Sequence, residues 1–257
     1  MVSTVAAQTA SGARGAVHQA IYNASSATGV DFNYLFNQAR VESSLNPDAK
    51  ARTSSATGLY QFIEQSWLGV VSKHGNEHGL GWAASAITRG SDGRYRVADP
   101  AMRSAILDMR RDPQASAAMA AEFASDNRDH LEKRLGHKVE SVDLYLAHFL
   151  GPGGATKFLR HHDASPDASA ATLFPAAARS NRGVFYNRDG SARSLADVRT
   201  RFARKIEGVA TPPVRAERVE QRFASNALRQ AQDYGAPKPT AQARLAYLML
   251  ASLGVSA

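Results

Sequence analysis

Glu42 lies seven residues after Leu35 and three after Ala39, at the end of a pattern whose apolar members are Phe32, Leu35, Phe36 and Ala39. On a helix that spacing puts it on the same face as the apolar stripe. Carboxyl groups at the edge of an apolar face, beside a cleft, hold their proton to higher pH than in water. A general acid for glycoside cleavage needs that property near neutral pH. An acidic residue near a helix end is also an ordinary surface feature, so position alone leaves both readings open. Other residues could do different chemistry. His74 and His78 have helical ligand spacing, with Glu77 between them, but stand among glycines without an evident third ligand. No metal and no cofactor is therefore expected. The chain has no cysteine, which excludes disulfides, thiolate metal sites and a cysteine nucleophile.

The elements that must position these groups are mainly helical. Residues 1–14 are small and polar and read as a flexible segment. Val17, Ala20, Ile21 and Ala24 recur at helical spacing, and Gly29 closes that helix. Asp31 is a suitable N-cap for the helix that carries Glu42, which must stop before Pro47. Residues 43–58 read as a polar loop, and residues 75–93, rich in glycine, as irregular chain. Asp99-Pro100 and Asp112-Pro113 each read as N-cap and first helical residue, the second opening a long alanine-rich helix that ends at Gly136. Residues 141–150 are apolar nearly all round and predict a buried central helix stopped by Gly151-Pro152-Gly153-Gly154. Residues 156–193 show no clear period and read as an irregular lobe, with one weak strand candidate at 184–186. Ser194 caps a closing helix, 194–207, with Leu195, Val198, Phe202 and Ile206 inward. Residues 208–257 read as a linker and a helical C-terminal extension that folds back on the core. The class is mainly α with little or no sheet.

Three short motifs resemble the soluble lytic transglycosylases, which share the lysozyme-like fold with goose-type lysozyme. They are Glu42-Ser43 with Asn46-Pro47 and then Ala56, Gly58, Leu59 and Gln61; Asp112-Pro113; and Ala147 to Gly153, which is similar to the family's Ala-Tyr-Asn-Ala-Gly-Pro-Gly. They occur in the family's order over residues 31–155 and imply a catalytic domain at 15–207. This chain departs from the pattern in three ways. The segment from Glu42 to Gly58 is one residue longer, Ser55 replaces a glycine, and His148 and Phe149 stand where the family has tyrosine and asparagine. The family tyrosine lies beside the catalytic carboxyl, so the resemblance implies that contact for His148, with Tyr145 one turn earlier as the other candidate.

The resemblance implies a peptidoglycan lytic transglycosylase with Glu42 as single acid and base. Such an enzyme cleaves the bond between MurNAc and GlcNAc and leaves 1,6-anhydro ends. A hydrolytic muramidase would want a second carboxylate, for which Glu64, Glu122 and Asp143 are conceivable. Glu122 stands out as an isolated charge in an alanine-rich run, although a solvated helix position is the favoured reading. Substrate contacts are expected from Ser43, Tyr60, Gln61, Glu122, Tyr145 and His148, because sugars stack on aromatic rings and amides bind acetamido groups. Phe62 and Trp67 are expected in the core.

A formal charge of +8 suits a polyanionic partner. The basic residues are scattered and no nucleic-acid recognition motif is visible, so specific nucleic-acid binding is not expected. A fold-retaining wall-binding protein without catalysis is the other alternative. The C-terminal extension could dock to a cell-envelope or phage assembly. No stretch is apolar over a bilayer's width, and no signal-peptide pattern is present. A monomer of the periplasm or cell envelope is expected.

Overall fold

The computed structural model describes residues 2–207, with residues 2–13 as backbone only. It is mainly helical, as the periodicity predicts. The helices are α1 Val2–Thr28, α2 Phe32–Ser43, α3 Glu64–His74, α4 Gly81–Ala86, α5 Pro100–Asp108, α6 Pro113–Leu135, α7 Ser141–Ala164, α8 Ala170–Leu173, α9 Pro175–Ser180, α10 Arg182–Phe185 and α11 Leu195–Ile206. A two-stranded antiparallel hairpin, β1 Ile87–Arg89 and β2 Tyr95–Val97, is the sheet of the described residues. No described helix is long and apolar enough to cross a membrane. The linker and extension expected at 208–257 lie outside the described residues.

Helix starts follow local chemistry. The side chains of Asp31, Asp99 and Asp112 accept hydrogen bonds from the amides of Tyr34, Met102 and Ala115, as expected of N-caps. Ser194 caps α11 in a reciprocal pair with Asp197. The core forms where α1 packs on α6, α6 on α7, and α7 on α11. Val17, Ala20, Ile21 and Ala24 of α1 are buried together with Ala117, Ala120, Ala121 and Ala124 of α6. Small side chains on α6 let its neighbours approach closely, and Met119 and Leu131 fill the remaining space. Phe62 and Trp67 are core residues as expected, their rings meeting edge to face at 5.4 Å. The Trp67 indole N–H donates to the Ile106 carbonyl at 2.7 Å and ties α3 to α5.

Four local expectations are corrected. The backbone of residues 2–14 is helical, continuous with α1, where a flexible segment was expected. Its small residues include many alanines, the best helix formers, and no proline. Residues 75–93 are ordered as a 3-10 turn Gly75–His78, then α4 and β1. Gln65 stabilises the hairpin in the manner of a third strand, since its amide bonds both the N–H and the C=O of Tyr95, at 2.9 and 3.0 Å. The strand candidate at 184–186 is the helical turn α10 followed by a single bridge between Tyr186 and Ala192. The lobe at 156–193 is largely short helices, because α7 resumes after Gly151. That glycine has φ 73, which interrupts the helix, and Pro152 restarts it. Arg193 then gathers the lobe by donating to the carbonyls of Gly183 and Val184 at 2.7 and 2.9 Å.

Replacing Asp112 with alanine leaves the first amides of α6 without their cap. Stability is expected to fall by about 1 kcal/mol in a urea titration, and Asp112→Asn should recover most of it.

Candidate functional site

Glu42 occupies the last turn of α2, on the side that Leu35 and Ala39 bury, with a side chain 19% exposed. The Tyr145 hydroxyl donates to Glu42 Oε1 at 3.0 Å. His148 Nε2 lies farther off, at 3.6 Å from the same oxygen. The contact that the resemblance implied for a family tyrosine is thus made by Tyr145, one turn before the expected place. His148 stacks on the Tyr145 ring at 5.8 Å and meets Phe123 edge to face at 6.5 Å.

One participant was missed altogether. Lys205 of α11 donates to the Tyr145 hydroxyl at 2.8 Å and lies 5.2 Å from the centroid of its ring. The result is a chain from ammonium to phenol to carboxylate. With the lysine hydrogen taking one lone pair of the phenol oxygen, the phenol's own hydrogen is directed at Glu42. Burial and the Glu42 charge together raise the Tyr145 hydroxyl well above the usual tyrosine value, so it remains a donor. Tyr34 is raised for the same two reasons. His148 is lowered, chiefly by burial and further by Lys205, with Glu42 acting the other way. In sequence Lys205 borders the inward stripe of α11, but nothing there pairs it with a residue 60 positions earlier.

The loop after Glu42 is built on backbone geometry. Ser44 and Leu45 have φ of 56 and 63, and Gln61 has φ 50. All three are in the left-handed region that non-glycine residues seldom adopt. The Ser43 hydroxyl is 2.8 Å from the Leu59 carbonyl and 3.0 Å from that of Ala39, so its proton is committed to backbone rather than to a substrate. The Gln61 amide likewise donates to the carbonyls of Gly58 and Ala49, at 2.9 and 3.1 Å. Arg110, buried at the end of α5's following turn, donates to the carbonyls of Ser55, Phe62 and Leu107 at 2.7, 3.1 and 2.8 Å. It also was missed, being a single basic residue in a basic stretch. Gly58 has φ 85, and a Cβ there would meet the Arg110 carbonyl oxygen at 1.8 Å.

Of the expected substrate contacts, Tyr145 and His148 join Glu42. Ser43 and Gln61 instead hold the loop. Tyr60 is fully buried and cannot stack on a sugar; its signal, an aromatic beside the motif, is equally that of a core residue. Glu122 is neither a solvated charge nor a partner of Glu42. It is bound by His78 Nε2 at 2.8 Å. The two other carboxylates considered are also engaged, Glu64 by Arg103 at 2.6 Å and Asp143 by Arg199 at 2.9 Å. A surface depression is lined by His162, Arg199, Ala203 and Arg204, none of which makes a hydrogen bond or ion pair with Glu42. No model of a known protein family matches the sequence.

Gly58→Ala meets both the clash and the unfavourable φ, and is expected to cost about 2–4 kcal/mol in denaturant unfolding. A second expectation concerns pH. His148 folds with its titration below the unfolded value of 6.5, so the unfolded chain takes up the proton first and stability drops as pH falls below about 6.5. His18 is lowered by burial in the same direction. Thermal melts of wild type and His148→Asn between pH 7.5 and 5 isolate the first group: the variant should lose less of its melting temperature on acidification.

Proposed function

We propose that the chain is a peptidoglycan lytic transglycosylase acting at the cell envelope, with Glu42 as its acid and base. The observation that carries the reading is the bond from Tyr145 to Glu42 Oε1. A partly buried carboxylate with one oxygen fixed by a buried donor, and its neighbour oxygen left to act, suits proton transfer to a bound ligand. The three motif resemblances supply the substrate class. The engaged state of Glu64, Glu122 and Asp143 favours a mechanism with one carboxylate over one with two.

In the reaction that the resemblance implies, Glu42 gives its proton to the oxygen bridging the two amino sugars. The substrate's own N-acetyl oxygen supports the cation left at the muramic carbon. Glu42, now ionised, takes the proton of the muramic 6-hydroxyl, whose oxygen closes the anhydro ring. The carboxyl is restored and no water is consumed. Tyr145 and Lys205 touch no reacting atom in this scheme and position the carboxylate.

Digestion of purified sacculi by the full-length protein, followed by mass spectrometry, tests the reading. Muropeptides are expected one water lighter than hydrolytic products. Glu42→Gln should lower their release by about 100- to 10,000-fold. Products with intact reducing ends would mean a hydrolase, and no release by wild type would mean that the fold serves binding alone.

A further inference from the structure

The end of α3 and the 3-10 turn after it face the middle of α6 across six titratable side chains. His74 Nε2 lies 3.0 Å from Asp126 Oδ2, and Lys73 donates to the other oxygen of that carboxylate at 2.6 Å. Held by Lys73 on one oxygen, the Asp126 carboxylate faces the His74 Nε2 with the other and is placed to accept its proton. The second ring nitrogen, Nδ1, is buried and has no hydrogen-bond partner. It lies 3.4 Å from Glu122 Oε2 and 3.7 Å from Glu77 Oε1. His78 holds the other oxygen of Glu122.

A ring nitrogen and two carboxylate oxygens thus converge on one point, and the three atoms lie within 4.8 Å of one another. Such a convergence is repulsive without a positive charge at its centre. The spacing matches a known geometry. Two ligand atoms bonded to one tetrahedral zinc at 2.0–2.1 Å are about 3.4 Å apart. The His74–Glu122 pair meets that distance, and Glu77, whose side chain is 65% exposed, can turn its carboxylate inward to complete the set. A histidine whose far nitrogen donates to a carboxylate is the usual support for a bound metal. An imidazole with two carboxylates suits zinc and its neighbours better than calcium or magnesium, which prefer oxygen alone.

We propose that His74, Glu77 and Glu122 bind a divalent transition-metal cation of the zinc class, His74 through Nδ1, with Asp126 and His78 holding the ligands in position. The two histidines do not ligate as a pair, which is why their spacing in sequence showed no third partner. The third ligand comes from α6, and the cation joins α3 to that helix. This site makes no contact with Glu42, so its test is independent of the glycan chemistry.

Full-length protein is stripped with EDTA, desalted, and titrated with zinc chloride by calorimetry at pH 7.0 and with cobalt chloride by visible absorption. One zinc per chain with micromolar or tighter affinity is expected, and the cobalt form should show the intense bands of a four-coordinate ion. His74→Gln and Glu122→Gln should each weaken binding at least 100-fold. Asp126→Asn, which removes no ligand, should weaken it 10- to 100-fold, and a His161→Gln, His162→Gln double variant should bind as wild type. Absence of saturable binding, or unchanged binding by His74→Gln and Glu122→Gln, overturns the proposal. Should those variants misfold, histidine-labelled wild type decides by NMR. Zinc must perturb the His74 ring at the first equivalent, and perturbation of other histidines instead overturns it.

Discussion

The arrangement around Glu42 depends on one hydrogen bond, from the Tyr145 phenol to Oε1. A bond to an ionised group contributes about 1.5–3 kcal/mol when buried, enough to select one rotamer of a glutamate that otherwise has several. Making it requires three helices to converge: α2 carries the carboxylate, α7 the phenol, and α11 the Lys205 ammonium that fixes the phenol's polarity. Asp143 of α7 and Glu140, its N-cap, secure α11 through Arg199, at 2.9 and 2.8 Å. The closing helix is therefore part of the site, because its ammonium occupies a lone pair of the phenol oxygen and reinforces the donation to Glu42.

The second constraint is backbone conformation. Ser44, Leu45 and Gln61 adopt left-handed geometry, each at a cost of about 1–3 kcal/mol. Such residues persist only where their surroundings over-determine them. Here Arg110 holds three carbonyls, Ser43 joins α2 to Leu59, and the Gln61 amide closes the turn around Gly58. Among the described residues, the strained positions stand at the two ends of the loop that follows Glu42, Ser44 and Leu45 at one and Gln61 at the other.

What could be read in the sequence was local. Asp31, Asp99, Asp112 and Ser194 each announce a helix start, because an N-cap is decided within four residues. The inward face of α11 and the buried character of 141–150 follow from periodicity in the same way. The position of Glu42 on the buried side of α2 was legible for that reason, and so was Tyr145 as a candidate for its partner. Lys205 and Arg110 were not, since their partners lie 60 and 55 residues away and a lone basic residue carries no mark of its target. Ser43, Tyr60 and Gln61 were found as special residues, but what the structure shows of them is internal: Ser43 and Gln61 bond backbone carbonyls and Tyr60 is buried. A motif marks positions that tolerate little change, and holding a strained loop restricts a residue as strongly as touching a ligand does.

Glu122 shows how the two polar centres share one support. It and Phe123 are consecutive on α6, so their side chains point about 100° apart. Glu122 turns toward His74 and His78, while Phe123 turns toward Phe62 and the edge of His148. Displacement of that turn of α6 would move the charge cluster and the imidazole beside Glu42 together. A cation bound between α3 and α6 would hold the turn from one side, as aromatic packing holds it from the other. The ring that stacks on Tyr145 would then be fixed by contacts that never touch the carboxylate, so the surroundings of Glu42 would be held without occupying its second oxygen.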